Sequence, residues 1–142
     1  MDYAKLFALY DHPTHWEYPP GFDYETANAR FLKFVEALSK SLGYEVQKET
    51  GAHIQDASFH SQVLFPVQRD RQPTIRFSNF GDMASVSFGE LLPKETTDIV
   101  DRLLKEHGYI NVPSEELDLP YSGDNPGVTG IETWGIRYFS WV

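Results

Sequence analysis

From residue 24 to residue 42, apolar side chains recur at three- and four-residue spacing: Ala27, Phe31, Phe34, Val35, Leu38 and Leu42. That period places them on one face of an α-helix. Asp23 is suited to cap its N-terminus, and Glu25 puts negative charge in the first turn, where the helix dipole favours it. Lys40 lies near the far end, and Gly43 supplies the residue that can turn left-handed beyond it. A second helix is predicted over about 94–107, with Ile99, Val100, Leu103 and Leu104 as its apolar stripe. Pro93, Glu95 and Asp98 suit its start, Lys105 and His107 its end, and Gly108 the position after it.

Between these helices the period changes to two. Tyr44 and Val46 alternate with Glu45 and Gln47, and Thr50-Gly51 offers a turn. Ala57, Phe59, Val63, Phe65 and Val67 then share one parity, against Asp56, Ser58, His60 and Gln62 on the other, as in a half-buried antiparallel strand. Pro66 and the polar run Arg69-Asp70-Arg71-Gln72-Pro73 end it. Gly81-Asp82 matches a two-residue type II′ hairpin loop. Placing Phe80 against Met83 sets Phe77 opposite Val86, Ile75 opposite Phe88, Arg76 opposite Ser87 and Ser78 opposite Ser85.

Tyr109, Ile110 and Val112 read as a short strand closed by Pro113, and residues 114–130 as an acidic, turn-rich loop. Ile131, Trp134, Ile136, Tyr138, Phe139, Trp141 and Val142 read as a terminal strand with aromatics packed inward. In the first 22 residues, Leu6, Phe7, Leu9 and Tyr10 make a short helical turn. Trp16, Tyr18 and Phe22, among Pro13, Pro19, Pro20 and Gly21, then form an aromatic strap over the core. The sum is a two-layer α+β fold: a mainly antiparallel sheet of about four to six strands, with the two main helices on one face. Phe31, Phe34, Leu38, Phe59, Phe77, Val86, Leu103 and Trp134 are its predicted core.

Composition narrows the class. With 142 residues, 41% of them apolar and 15% aromatic, the chain is expected to fold as a single domain over residues 1–142 without a metal or disulfide. It has no cysteine, which excludes thiolate metal sites and Cys nucleophiles. A formal net charge of −9 argues against nucleic acid, whose phosphates would repel it. No apolar run reaches the length of a membrane span, and the opening residues lack the basic head and apolar middle of a secretory signal. A cytoplasmic location and no membrane partner are the expectation.

Catalytic motifs are missing. His12 and His15 are split by Pro13, which argues against the helix turn a His-x-x-His metal pair needs. There is no Gly-x-Ser-x-Gly elbow, no Gly-x-Gly-x-x-Gly and no P-loop. His60 and Ser61, adjacent on a strand, should point to opposite faces. Glu115-Glu116 is the sort of carboxylate pair any acidic chain provides. Neither a catalytic residue, a cofactor nor a metal is therefore expected.

Charge is unevenly spread. Residues 90–124 hold nine acids against three bases, a net −6, while residues 1–89 carry −3 and the last eighteen balance. Such a segment serves either as a solvated face or as a surface steering a basic partner. In the second case Glu95, Asp98 and Asp101 on the helix join Glu115, Glu116 and Asp118 in the loop, with Tyr121 as an aromatic anchor.

The stretch from Gly108 to Tyr121, G-Y-I-N-V-P-S-E-E-L-D-L-P-Y, and the ending T-W-G-I-R-Y-F-S-W-V carry a resemblance. They resemble small acidic immunity proteins of bacterial polymorphic or contact-dependent toxin systems, over about a third of the chain. The resemblance implies a non-enzymatic inhibitor that binds a cognate, basic toxin protein, and it implies no active-site residue. The rival reading is a small enzyme or small-molecule binder with a pocket lined by Trp16, Tyr18, Tyr121 and Trp134.

Overall fold

Asp23 accepts backbone hydrogen bonds from Glu25 and Thr26, and Gly43 adopts φ +81° at the opposite end. Between them runs α2 (Tyr24–Leu42), within the bounds its period predicts. The computed structural model describes residues 1–11, 15, 18–50, 58–123 and 132–139. Its other elements are α1 (Tyr3–Tyr10), β1 (Gln47–Thr50), β2 (Phe59–Leu64), β3 (Thr74–Ser78), β4 (Met83–Ser87), α3 (Lys94–Glu106), β5 (Ile110–Asn111), α4 (Ser114–Leu117) and α5 (Trp134–Phe139). The class is α+β. Five strands lie in the order β1-β2-β3-β4-β5, antiparallel except for the last pair. There α3 forms the crossover between parallel β4 and β5, the connection parallel strands require.

The face of the sheet carrying Val63, Ile75, Phe77 and Ala84 packs against α2 and α3. Phe77 is wholly buried, with Phe31, Phe34 and Tyr109 edge-on to it at 5.1, 5.3 and 4.8 Å. Phe31, Phe34, Leu38, Phe77 and Leu103 all lie in this core as expected, whereas Val86 is only partly buried beside it.

Several sequence expectations need correcting. The β3–β4 hairpin pairs Phe77 with Ala84, Arg76 with Ser85, Ile75 with Val86 and Thr74 with Ser87, two residues away from the expected register. A slip of two keeps every side chain on its face, so the alternation could not detect it. The loop is longer because Phe80 leaves the ladder for a second core, where it is wholly buried. The Asn79 N–H bonds the Ser58 carbonyl, the Phe80 N–H bonds Ser78 Oγ, and Gly81 turns the chain at φ +58°.

Phe59 is buried, but on the opposite face from Val63. A bulge between Phe59 and Ser61 inserts one residue, and Phe59 ends beneath the Arg76 guanidinium at 4.4 Å. The predicted terminal strand is a helix over its described part, α5. Thr133 Oγ1 accepts the Ile136 N–H and the Thr133 carbonyl the Arg137 N–H, an N-cap that overrides the local alternation. The acidic loop likewise opens with the short helix α4, and the strand expected from Tyr44 starts only at Gln47.

The largest correction is that the sheet is not half-exposed. In β2 the residues Phe59, His60, Ser61, Gln62 and Val63 are all buried. The second face is covered by α5, whose last carbonyls lack partners within the helix. Ser78 Oγ donates to the Tyr138 carbonyl at 2.7 Å and Arg76 Nη1 to the Phe139 carbonyl at 3.2 Å. Here Phe7, Phe80, Met83, Val112, Leu117, Trp134, Tyr138 and Phe139 make the second core. The Tyr138 hydroxyl donates to the Phe7 carbonyl, tying α5 to α1. The aromatic strap after α1 is described only in part: Tyr18 is half exposed, with its ring 6.2 Å from Phe22, and Trp16 lies outside the described residues.

Candidate functional site: an acidic face divided by a cleft

At about 100° per residue, Glu95, Asp98 and Asp101 spread over roughly a third of the helix circumference. Val100, Leu103 and Leu104 face the core, so the three acids form the outer face of α3, and all three are exposed. Their surroundings differ. Lys94 Nζ lies 3.5 Å from Asp98, and Asn111 Nδ2 donates to Asp101 Oδ1 at 2.8 Å. Glu95 and Asp98 border a shallow depression with Ile99 and Arg102, while Asp101 turns toward β5.

Between α3 and the β5–α4 segment lies a cleft of about 250 Å³. Its apolar lining is Val86, Leu92, Val100, Val112 and Pro113, and Glu90, Asp101 and Asn111 add polar groups. On the far side stands α4, begun by Pro113 and carrying Glu115 and Glu116 in its first turn, where the helix dipole favours acids. Glu115 and Asp118 are exposed and Glu116 is partly buried. Of the sequence-predicted acids, Asp101 lines this cleft beside Glu90, while Glu95 and Asp98 border the separate depression on α3 and Asp118 lines a further cleft beyond α4. An apolar interior with carboxylates at its edge suits a lysine or arginine side chain, which has an apolar stem and a charged head.

Tyr121 behaves differently from a surface anchor. It is partly buried, its ring packs on Trp134 at 4.7 Å, and its hydroxyl donates to Asp11 Oδ2 at 2.6 Å. Asp11 Oδ1 in turn accepts from Arg137 Nε at 3.1 Å, in an ion pair 4% and 0% exposed. Arg137 also donates to the His15 carbonyl and lies 4.5 Å over the Phe80 ring. Asp11, which directly precedes His12 in the chain, is thereby part of a buried ion pair. Among the described residues, no three His, Asp or Glu side chains gather to hold a metal, and His12 lies outside them. Tyr121 and Trp134 of the rival aromatic pocket pack into each other in this region.

A second cleft, of about 240 Å³, borders the other side of α4. Arg76, Ser85 and Ser87 line it from the sheet, Leu117 and Asp118 from α4, and Thr133, Ile136 and Phe139 from the α5 region. Sequence reasoning did not single out Arg76, although its parity already placed it away from the main core. The covering helix, which turns that face into a cleft wall, was the missing piece.

The strand bulge also reverses the reading of His60 and Ser61. Both side chains lie on the α2 side, with His60 Nδ1 and Ser61 Oγ 2.8 Å apart. Ser61 Oγ continues to Thr50 Oγ1, and Thr50 to Asn28 and Tyr24. Burial pushes His60 down to about 4, and the Arg30 charge adds to the effect. Ser61 is wholly buried beside it, within the packed interior. Tyr109 is pushed up to about 12, chiefly by burial, and among the described residues its hydroxyl has no hydrogen-bond partner. Compared with protein-family models, curated proteins and solved structures, the chain matches none.

Proposed function

We propose that the protein is a stoichiometric inhibitor that binds a basic protein, a cognate bacterial toxin, through the acidic face formed by α3 and α4, and that it works in the cytoplasm. One observation carries the reading. A cleft of about 250 Å³ between α3 and the β5–α4 segment has apolar walls with the Glu90 and Asp101 carboxylates in its lining, and the helices that bound it carry the exposed acids Glu95, Asp98 and Glu115. Concentrated negative charge accelerates encounter with a basic surface, and the cleft offers a place for one of its lysines or arginines to dock. The immunity-protein resemblance of the C-terminal third supports the same role. Neither nucleic acid nor a membrane is part of this reading. Among the described residues, no helix is long and apolar enough to cross a membrane.

The test is titration against the product of the neighbouring gene, with wild type beside a Glu115→Lys, Glu116→Lys, Asp118→Lys triple variant. Reversal is expected to slow association and flatten its salt dependence while leaving the circular dichroism spectrum unchanged. A second triple variant, Glu95→Lys, Asp98→Lys, Asp101→Lys, reads the α3 side of the cleft. Unchanged association in both moves the interface elsewhere, and no binding to any neighbouring product overturns the inhibitor reading.

A further inference from the structure

Arg76 differs from the other interior cation. Arg137 has Asp11 beside it, whereas no carboxylate of the described residues lies within ion-pair distance of Arg76. A partly buried charge without a direct counter-ion is costly unless something else meets it. Arg76 is fixed in place on three sides: Nε donates to Gln62 Oε1 at 3.1 Å, Nη1 donates to the Phe139 carbonyl, and the plane lies over Phe59. Glu49 acts on it from a distance, with Gln62 hydrogen-bonded between them. Of the five guanidinium donors, three are left, including both of Nη2. Ser85, its cross-strand partner, and Ser87, two residues on, line the same cleft, and neither hydroxyl bonds any described residue.

We propose that this cleft binds a small organic carboxylate, with Arg76 meeting the carboxylate and the Ser85 and Ser87 hydroxyls donating to it. The rest of the lining suits an organic body, since Val86, Leu117, Ile136 and Phe139 supply apolar walls. The volume of about 240 Å³ suits a molecule of amino-acid size or smaller. Burial lowers the Arg76 affinity for its proton, the direction expected of a cation short of counter-charge, and a bound carboxylate reverses that cost. Asp118 lines the same cleft and opposes the anion. This site needs no protein partner and stands or falls separately from the inhibitor reading.

The experiment is nitrogen-15 NMR titration of the whole chain with acetate, butyrate and inorganic phosphate, at ionic strength held constant with chloride. Saturable shifts are expected at Arg76 Nε–H and at the Ser85 and Ser87 amides, with butyrate tighter than acetate because the apolar walls cover its tail. Arg76→Gln should weaken butyrate at least about tenfold through loss of a charge-assisted pair. Since Arg76 also holds the Phe139 carbonyl, Ser85→Val is the second variant, blocking the cleft with Arg76 in place. Asp118→Asn, at an exposed position, should strengthen binding, a change that a purely structural Arg76 would not produce. No saturable shift in wild type, equal binding in Arg76→Gln and Ser85→Val, or phosphate preferred over both carboxylates would overturn the proposal.

Discussion

Replacing Asp11 with Asn keeps the shape of the side chain and removes its charge, which isolates what the ion pair with Arg137 contributes. The guanidinium is fully buried, so the variant takes the Asp11 charge away from a cation held in the interior. Breaking one partner of a buried pair costs about 3–5 kcal/mol. Arg137 retains the His15 carbonyl and the Phe80 and Tyr138 rings, which favours the lower end, about 3 kcal/mol. For a domain of this size that corresponds to a midpoint roughly 10 °C lower. Urea denaturation at neutral pH measures the loss directly. Arg137→Met should cost a similar amount, because it leaves the Asp11 carboxylate buried with Tyr121. In the double variant neither charge is present, so its cost should fall well below the two single losses added together. Additivity within about 0.5 kcal/mol would show that the pair is not coupled and would refute the reasoning.

Phe77→Ala should cost about 3–5 kcal/mol in the same denaturation assay, since three aromatic rings face the cavity it leaves and cannot all close on it. Gly81→Ala should destabilise the loop before β4: the residue sits at φ +58°, and an added Cβ would stand 2.8 Å from the Tyr10 ring. A reduced melting temperature that Tyr10→Ala partly restores is the expected result. His60 is held neutral in the fold at about 4 and returns to 6.5 on unfolding. The unfolded chain therefore binds the extra proton first, and its contribution is full above pH 6.5 and lost as pH falls toward 4. The loss is on the order of 3 kcal/mol, and a stability–pH profile of His60→Gln should lack that decline.

The parts of this fold readable from the chain are those whose signals are local and redundant. Asp23, Gly43 and a continuous apolar stripe all specify α2, so no single ambiguity could displace it. The hairpin shows the limit of alternation. Parity fixes which face Phe77 and Arg76 occupy, but whether Phe77 meets Val86 or Ala84 depends on Phe80, which is drawn off by α1 and α5. Trp134, Ile136 and Tyr138 alternate like a strand, yet Trp134 and Tyr138 are also one helical turn apart. Thr133 was the local sign that favoured the second reading. The bulge at His60 gave no sequence signal at all. The acids of the candidate site were legible as residues, but the cleft beside Asp101 depends on β5 pairing parallel to β4. That pairing is long-range and leaves no mark on the local pattern.

The contact between Asp11 and Arg137 spans 126 residues, and on a translating ribosome that separation becomes a waiting time. At about 5–20 residues per second, roughly 6–25 s pass between synthesis of the two partners. During that interval α2, the antiparallel strands and α3 can assemble, since everything they need has already emerged. Phe7 cannot find Trp134 or Tyr138 until the α5 segment has been made. The docking of α1 on α5 therefore comes after the main core can have formed. A stalled or prematurely terminated product would keep the main core and display the α1 apolar surface, a feature quality-control factors can recognise.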